Sequence, residues 1–130
     1  MRETLNQLSE MIIGAAIAVH KELGPGLLES AYEACLEYEL LDRGCIVERQ
    51  KELPVVYRGV RVDCGFRLDL RVNSLVIVEL KAVERLESVH EAQVLSYLKL
   101  TGLHLGLLIN FNTTRLVNGI KRLVRDFPSE

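Results

Sequence analysis

The stretch Val60–Ala82 reads VRVDCGFRLDLRVNSLVIVELKA, and its alternation predicts two strands joined by a short turn. In the first half the even positions Val60, Val62, Cys64, Phe66, Leu68, Leu70 and Val72 are apolar. The odd positions are Arg61, Asp63, Gly65, Arg67, Asp69 and Arg71. Successive side chains of a strand point to opposite faces, so one face is oily and the other charged. The second half, Leu75–Ala82, is apolar apart from Glu79 and Lys81, the composition of a strand buried on both faces. Glu79 and Lys81 stand two apart and share a face. Charge buried in such a strand costs several kcal/mol, roughly, unless it is paired or holds a metal.

The turn between the halves fixes which acids meet. A two-residue turn at Asn73-Ser74 would oppose Val72 to Leu75 and put Asp69 and Glu79 on opposite faces. A three-residue loop, Asn73 to Leu75, opposes Val72 to Val76 and Asp69 to Glu79, about 5 Å apart on one face. Such loops commonly need a left-handed residue, which Asn73 or Ser74 supplies, Asn tolerating that conformation better. The three-residue loop, or a bulge with the same effect, is the expectation.

The bulk properties fit an ordinary globular protein. The chain has 130 residues, 48% hydrophobic and 26% charged, enough for a single domain spanning residues 1–130 with a real core. A net charge of −2 offers no strongly basic field for nucleic acid. No apolar run reaches the roughly 20 residues needed to span a membrane. The opening MRETLNQLSE has no apolar signal core. Cys35, Cys45 and Cys64 lack zinc or CxxC spacing and suggest reduced thiols. A cytoplasmic protein with no membrane contact is expected, with Cys64 in the core.

Around the central stretch the chain alternates helix and strand patterns. Leu5, Leu8, Ile12, Ala15, Ala16, Val19 and Leu23 recur at helical spacing from about Thr4 to Leu23, and Gly24-Pro25-Gly26 ends that helix. A second helix is expected from Leu27 to Arg43, burying Leu28, Ala31, Tyr32, Cys35 and Leu36. Strand-like pieces follow at Cys45–Arg49 and Leu53–Tyr57, and Arg58-Gly59 turns into the central pair. A third helix is expected from about Glu84 to Leu100, with Leu86, Val89, Ala92, Gln93, Ser96, Tyr97 and Leu100 on related faces and Gly102 as cap. Leu105–Phe111 reads as a buried strand, and Arg115–Val124 as a final strand or short helix. The fold class is therefore α/β (α+β): two N-terminal helices, antiparallel strands, a helix and a strand, forming a mixed central sheet flanked by helices.

The chemistry centres on Asp69, Glu79, Leu80 and Lys81. Hard cations such as Mg²⁺ or Mn²⁺ prefer carboxylate and carbonyl oxygens and retain water. Asp69, Glu79 and the Leu80 carbonyl suit such an ion, which acidifies a bound water and offsets charge at a phosphate. Lys81 would orient that water or stabilise developing negative charge. The competing reading is a cross-strand salt bridge on a solvated face. Gln93 and Tyr97, at i and i+4 with His90 a turn earlier, either position a phosphate or base or simply pack on the sheet with their polar tips satisfied. Glu29 in a helix's first turn is explained by the helix dipole alone. His20 reads as a helix-surface or helix-helix hydrogen bonder, and Lys121, Arg122 and Arg125 as a solvated basic face.

At these residues the chain resembles a known family. Gly26-Leu27-Leu28-Glu29-Ser30-Ala31-Tyr32 is similar to the GxxExxY signature of a family of small prokaryotic proteins. The likeness continues through GPGLLESAYEACL, RLDL, VIVELKAV, QVLSYLKLTG and LGLLINF, nearly the whole chain. That family is placed in the PD-(D/E)xK nuclease superfamily. The resemblance implies Asp69, Glu79 and Lys81 as the metal-and-catalysis core, with Glu29 as the helical acid completing the metal shell. It implies Gln93 and Tyr97 as a substrate-positioning QxxxY element. Arg67-Leu68-Asp69 stands where the superfamily name has Pro-Asp. The leading expectation is a Mg²⁺- or Mn²⁺-dependent nuclease acting on nucleic acid, DNA ahead of RNA, in a chain small enough to work as a homodimer. The alternatives are an inactive nuclease-fold module binding a protein or nucleic-acid partner, and a structural protein whose acids and lysine form an ion-pair network.

Overall fold

The structure is a computed structural model, and it describes residues 1–129. Helix α1 runs Arg2–Leu23 and α2 runs Glu29–Asp42. Strands β1 (Val47–Glu52), β2 (Val55–Tyr57), β3 (Val60–Val62), β4 (Arg67–Val72) and β5 (Val76–Lys81) follow. Helix α3 (Ser88–Thr101), β6 (Leu105–Asn110), a 3₁₀ turn at Leu116–Gly119 and β7 (Ile120–Val124) complete the chain. The main sheet has five strands in the order β1-β4-β5-β6-β7. Only β5 and β6 are parallel, because α3 carries the chain back across one face between them. The expected mixed sheet flanked by helices is the observed architecture.

The central pair has the odd loop. Val72 opposes Val76, Arg71 opposes Ile77 and Leu70 opposes Val78. Asn73 and Ser74 both adopt left-handed φ, 53° and 56°, and the Asn73 side chain accepts a hydrogen bond from the Ile46 N–H at 2.7 Å. The loop is thereby tied to the start of β1.

The long first strand does not form. Val60–Val62 leave the main sheet and pair with β2, Tyr57 opposite Val60 and Val55 opposite Val62. The reason is local. Arg58 and Gly59, with φ of 50° and 78°, close a two-residue turn whose twist suits a hairpin, and Gly65 at φ 74° breaks the chain before β4. This small ribbon stands out from the body, and Val60 and Val62 are exposed rather than core. Cys64, expected in the core, is exposed, and Cys45 takes the buried thiol position.

The first helix buries its expected stripe, Leu5 through Val19. The second begins two residues later than expected, because Leu28 is extended at φ −72°, ψ 151°. It buries Tyr32, Glu33, Leu36 and Leu40, while Leu28 and Cys35 are exposed. These two helices pack with Leu70, Val72, Val76, Val78, Leu80, Leu105, Leu107 and Ile109 on one sheet face. On the other face Leu53, Leu68 and Ile77 meet Tyr97 and Leu98 of α3. The third helix starts at Ser88 because Glu87 and His90 form a reciprocal capping box. It turns Val94, Tyr97 and Leu98 inward and leaves Val89 and Leu100 exposed. Gly106 lets it approach closely: a Cβ there would lie 2.6 Å from a Val94 methyl.

Candidate functional site

Strand alternation places Glu79 and Lys81 on the same face as Ile77, the face covered by α3. The β4–β5 register continued by one pair sets Asp69 opposite Glu79. The regular ladder ends at Leu70 and Val78, and carboxylates take over beyond it. The Asp69 N–H donates to Glu79 Oε2 at 2.8 Å, and the Leu80 N–H donates to Asp69 Oδ2 at 2.9 Å. Each acid is held by the other strand's backbone. In an extended strand a residue's N–H and C=O point to the same neighbour. The Leu80 carbonyl therefore faces the Asp69 side, while the Lys81 carbonyl accepts from the Phe111 N–H on the far side.

The electrostatics of the pair are unfavourable without a cation. Glu79 is 3% exposed. Burial, and then the neighbouring Asp69 charge, push its pKa up to about 9. Asp69 is raised as well, chiefly by burial. A buried carboxyl and a half-buried one, each held by the other's strand, do not both ionise unless positive charge joins them. Lys81 Nζ lies 3.4 Å from Gln93 Oε1, so the ammonium stands between the acids and α3. Tyr97 is buried, and its hydroxyl pKa is raised by burial and by the Glu79 and Asp69 charges. Six of the residues singled out from the sequence, Asp69, Glu79, Leu80, Lys81, Gln93 and Tyr97, are thus brought together.

Glu29 is not. It is exposed in the first turn of α2, and among the described residues it makes no side-chain hydrogen bond or ion pair. The helical acid linked to the site is Glu33, one turn on and 7% exposed. Arg49 Nε donates to Glu33 Oε2 at 2.7 Å. Gln50 Nε2 donates to Glu33 Oε1 at 2.9 Å and to Asp69 Oδ1 at 3.4 Å. Gln50 reaches both acids from a left-handed backbone, φ 54°, a conformation that interrupts β1 opposite Asp69. Neither Glu33 nor Gln50 was a sequence candidate. The available signal was the pair Glu29, Glu33 at i, i+4 on one helix face; the decisive one, Gln50 opposite Asp69, needs the register of β1 on β4.

The other candidates have structural employment. His90 Nδ1 caps α3 by accepting the Glu87 N–H at 2.9 Å. His20 Nε2 lies 2.8 Å from the Thr113 carbonyl, in the loop after β6 rather than on another helix. Arg122 donates to Asn6 at 2.7 Å, and Arg125 pairs with Asp126 at 3.3 Å.

Among the described residues no group of three or more acids, histidines or cysteines is disposed to hold an ion. The donor set is two carboxylates and a carbonyl, which is what Mg²⁺ commonly takes from a protein while keeping several waters. The like-charged pair, Glu79 buried and Asp69 half-buried, supplies the electrostatic reason, so the residues fit such an ion.

A family model described as the PD-(D/E)XK nuclease superfamily matches residues 6–123. No curated protein and no solved structure matches the chain. The match runs from within α1 to within β7, and the chain belongs to the PD-(D/E)XK nuclease superfamily. Members of that superfamily generally use divalent metals.

Proposed function

We propose, from this membership and from the opposed acids Asp69 and Glu79, that the chain is a metal-dependent nuclease and one of the GxxExxY proteins within its superfamily. Asp69, Glu79 and the Leu80 carbonyl hold Mg²⁺ or Mn²⁺, with Glu33 as the helical acid acting through Gln50 on Asp69. When bound, the ion would supply a water acidified for attack and a counter-charge for the phosphate. Lys81 holds the attacking water or the developing negative charge, and the Gln93 carbonyl oxygen fixes its ammonium. Tyr97 shields the acids from solvent and offers a hydroxyl towards the substrate. The observation that carries the reading is a buried Glu79 opposed to a half-buried Asp69, the two cross-held by backbone N–H groups. Free thiols fit a reducing cytoplasm, and a chain of this size fits action as a homodimer.

Calorimetric titration with Mn²⁺ tests the metal site without a guess at substrate. Binding to the wild type and none to Glu79→Gln is the expected result. Cleavage assays on DNA, then RNA, should show activity lost in Asp69→Asn and Lys81→Ala at unchanged melting temperature. Activity surviving both changes would refute the assignment. The net charge of −2 favours one competitor, an inactive module that binds a partner; a wild type that binds no Mn²⁺ would support that reading.

A further inference from the structure

The β2–β3 ribbon has no evident structural task. It pairs with no strand of the main sheet, and a three-residue hairpin is marginal by itself. Yet it keeps a face of apolar side chains in water. By cross-strand pairing Val55, Val62, Tyr57 and Val60 share that face. Tyr57 and Val60 are each 61% exposed.

The ribbon grows out of the acid site. Its root is closed by the Leu53 N–H donating to the Phe66 carbonyl at 2.9 Å. The Phe66 ring, half exposed, lies 6.4 Å from the Tyr97 ring, and Tyr97 packs with Ile77, which shares a face of β5 with Glu79. A continuous path leads from Tyr57 at the turn, along the ribbon, over Phe66 to the acids. At about 3.3 Å per residue, Tyr57 stands roughly 13 Å out from Leu53.

Charge follows the same path. Residues Pro54–Arg67 carry three arginines against one aspartate, in a chain of net charge −2. Arg61 is paired with Asp63 and Arg67 with Glu52. Arg58, at the turn, has no ion pair among the described residues, and its guanidinium lies 5.4 Å from the Tyr57 ring centroid. One ring face is covered by a cation, and the ring stays largely open.

We propose that this ribbon is a stacking arm for single-stranded nucleic acid, delivering the strand to the acid site; the proposal rests on the nuclease reading of that site. Tyr57 stacks on a base, Arg58 meets the adjoining phosphate, and Phe66 receives the next part of the strand beside Tyr97. Aromatic platforms with sparse cations are how sequence-tolerant single-strand sites are built. A duplex hides its base faces and would need more cationic contacts than one unpaired arginine provides. A second copy of the chain is a poorer occupant, since stable protein interfaces use roughly 20–30 residues a side and this face offers four.

The test is fluorescence anisotropy with single-stranded DNA, single-stranded RNA and duplex DNA of one sequence, using the metal-free Glu79→Gln protein so that nothing is cut. Single strands should bind more tightly than duplex. Tyr57→Ser should weaken single-strand binding roughly tenfold. Tyr57→Phe should restore it, which a misfolded ribbon could not. Arg58→Gln should weaken binding and flatten its salt dependence. Preference for DNA or for RNA would identify the source of the strand within the proposal. Equal binding by wild-type and Tyr57→Ser arms, tighter binding to duplex, or self-association abolished by Tyr57→Ser would each overturn it. The nuclease reading is judged separately, by Mn²⁺ calorimetry and cleavage with the wild-type protein, so either idea can fall alone.

Discussion

At the scale of single residues, the GxxExxY-like segment divides its labour differently from what the resemblance implies. Tyr32 is fully buried and works as a clasp. Its hydroxyl donates to the Gly24 carbonyl at 2.6 Å and accepts from the Leu27 N–H at 3.1 Å, while its ring stacks on Phe111 at 4.6 Å. Tyr32→Phe should therefore destabilise the protein by about 1–3 kcal/mol, because two backbone groups lose their partner; urea denaturation reads this directly. Glu33, not Glu29, reaches the acid pair through Gln50. Mn²⁺ affinity should fall more in Glu33→Gln than in Glu29→Gln, and the reverse order by calorimetry would return the helical acid to Glu29. Glu79 sets a pH dependence. Its folded pKa of about 9 lies above the ordinary carboxylate range, so the folded state binds the proton more tightly than the unfolded state. That stabilisation is complete below about pH 4 and is lost as pH rises towards 9. The melting temperature of the metal-free protein should decline across this window, and Glu79→Gln should remove most of the decline. A wild-type profile as flat as the variant's would contradict the burial argument.

At the scale of elements, the site exists because β4 and β5 stop pairing regularly where their acids begin. The three-residue loop at Asn73–Leu75 sets the parity that puts Asp69 and Glu79 together. The left-handed Gln50 then disturbs β1 opposite Asp69. Helix α3 closes the site from above, and its height is set by Gly106. Gly106→Ala would drive a methyl into Val94, 2.6 Å away, against a helix anchored by Tyr97 and Leu98. A loss of about 1–3 kcal/mol is expected from such overpacking. Lys81 and Gln93 should also separate, so Gly106→Ala should lower cleavage more than stability alone accounts for, measured at a temperature where the variant remains folded. Asn110, 2% exposed, performs a related task at the sheet's end. Its side chain accepts from the Val83 and Asn112 N–H groups and donates to the Val83 carbonyl, tying the exit of β5 to that of β6.

At the scale of the whole molecule, folding and metal binding should be linked. A ligand that binds only the folded state stabilises it, by about 2.7 kcal/mol when its free concentration is 100 times Kd. Mn²⁺ should raise the melting temperature, and more so at high pH, where the ion no longer competes with the Glu79 proton; an equal effect in Glu79→Gln would place the ion elsewhere. No helix among the described residues is long and apolar enough to cross a membrane. The resemblance alone brought Gln93 and Tyr97 to the acids; the residues themselves carried the mixed sheet between helices, the three-residue loop, and the meeting of Asp69, Glu79 and Lys81. These follow from alternation, parity and helical spacing, which act over a few residues and leave their period in the chain. It misjudged Val60–Val62 and Cys64, whose alternation suits a core strand as well as a free ribbon; the Arg58-Gly59 turn decided between them. Only the tertiary structure selected Glu33 over Glu29, since both lie on one face of α2 and differ in what stands opposite. That choice depends on Arg49 and Gln50 of β1 and on the register of β1 against β4. Distant segments decide such contacts, and no local period records them.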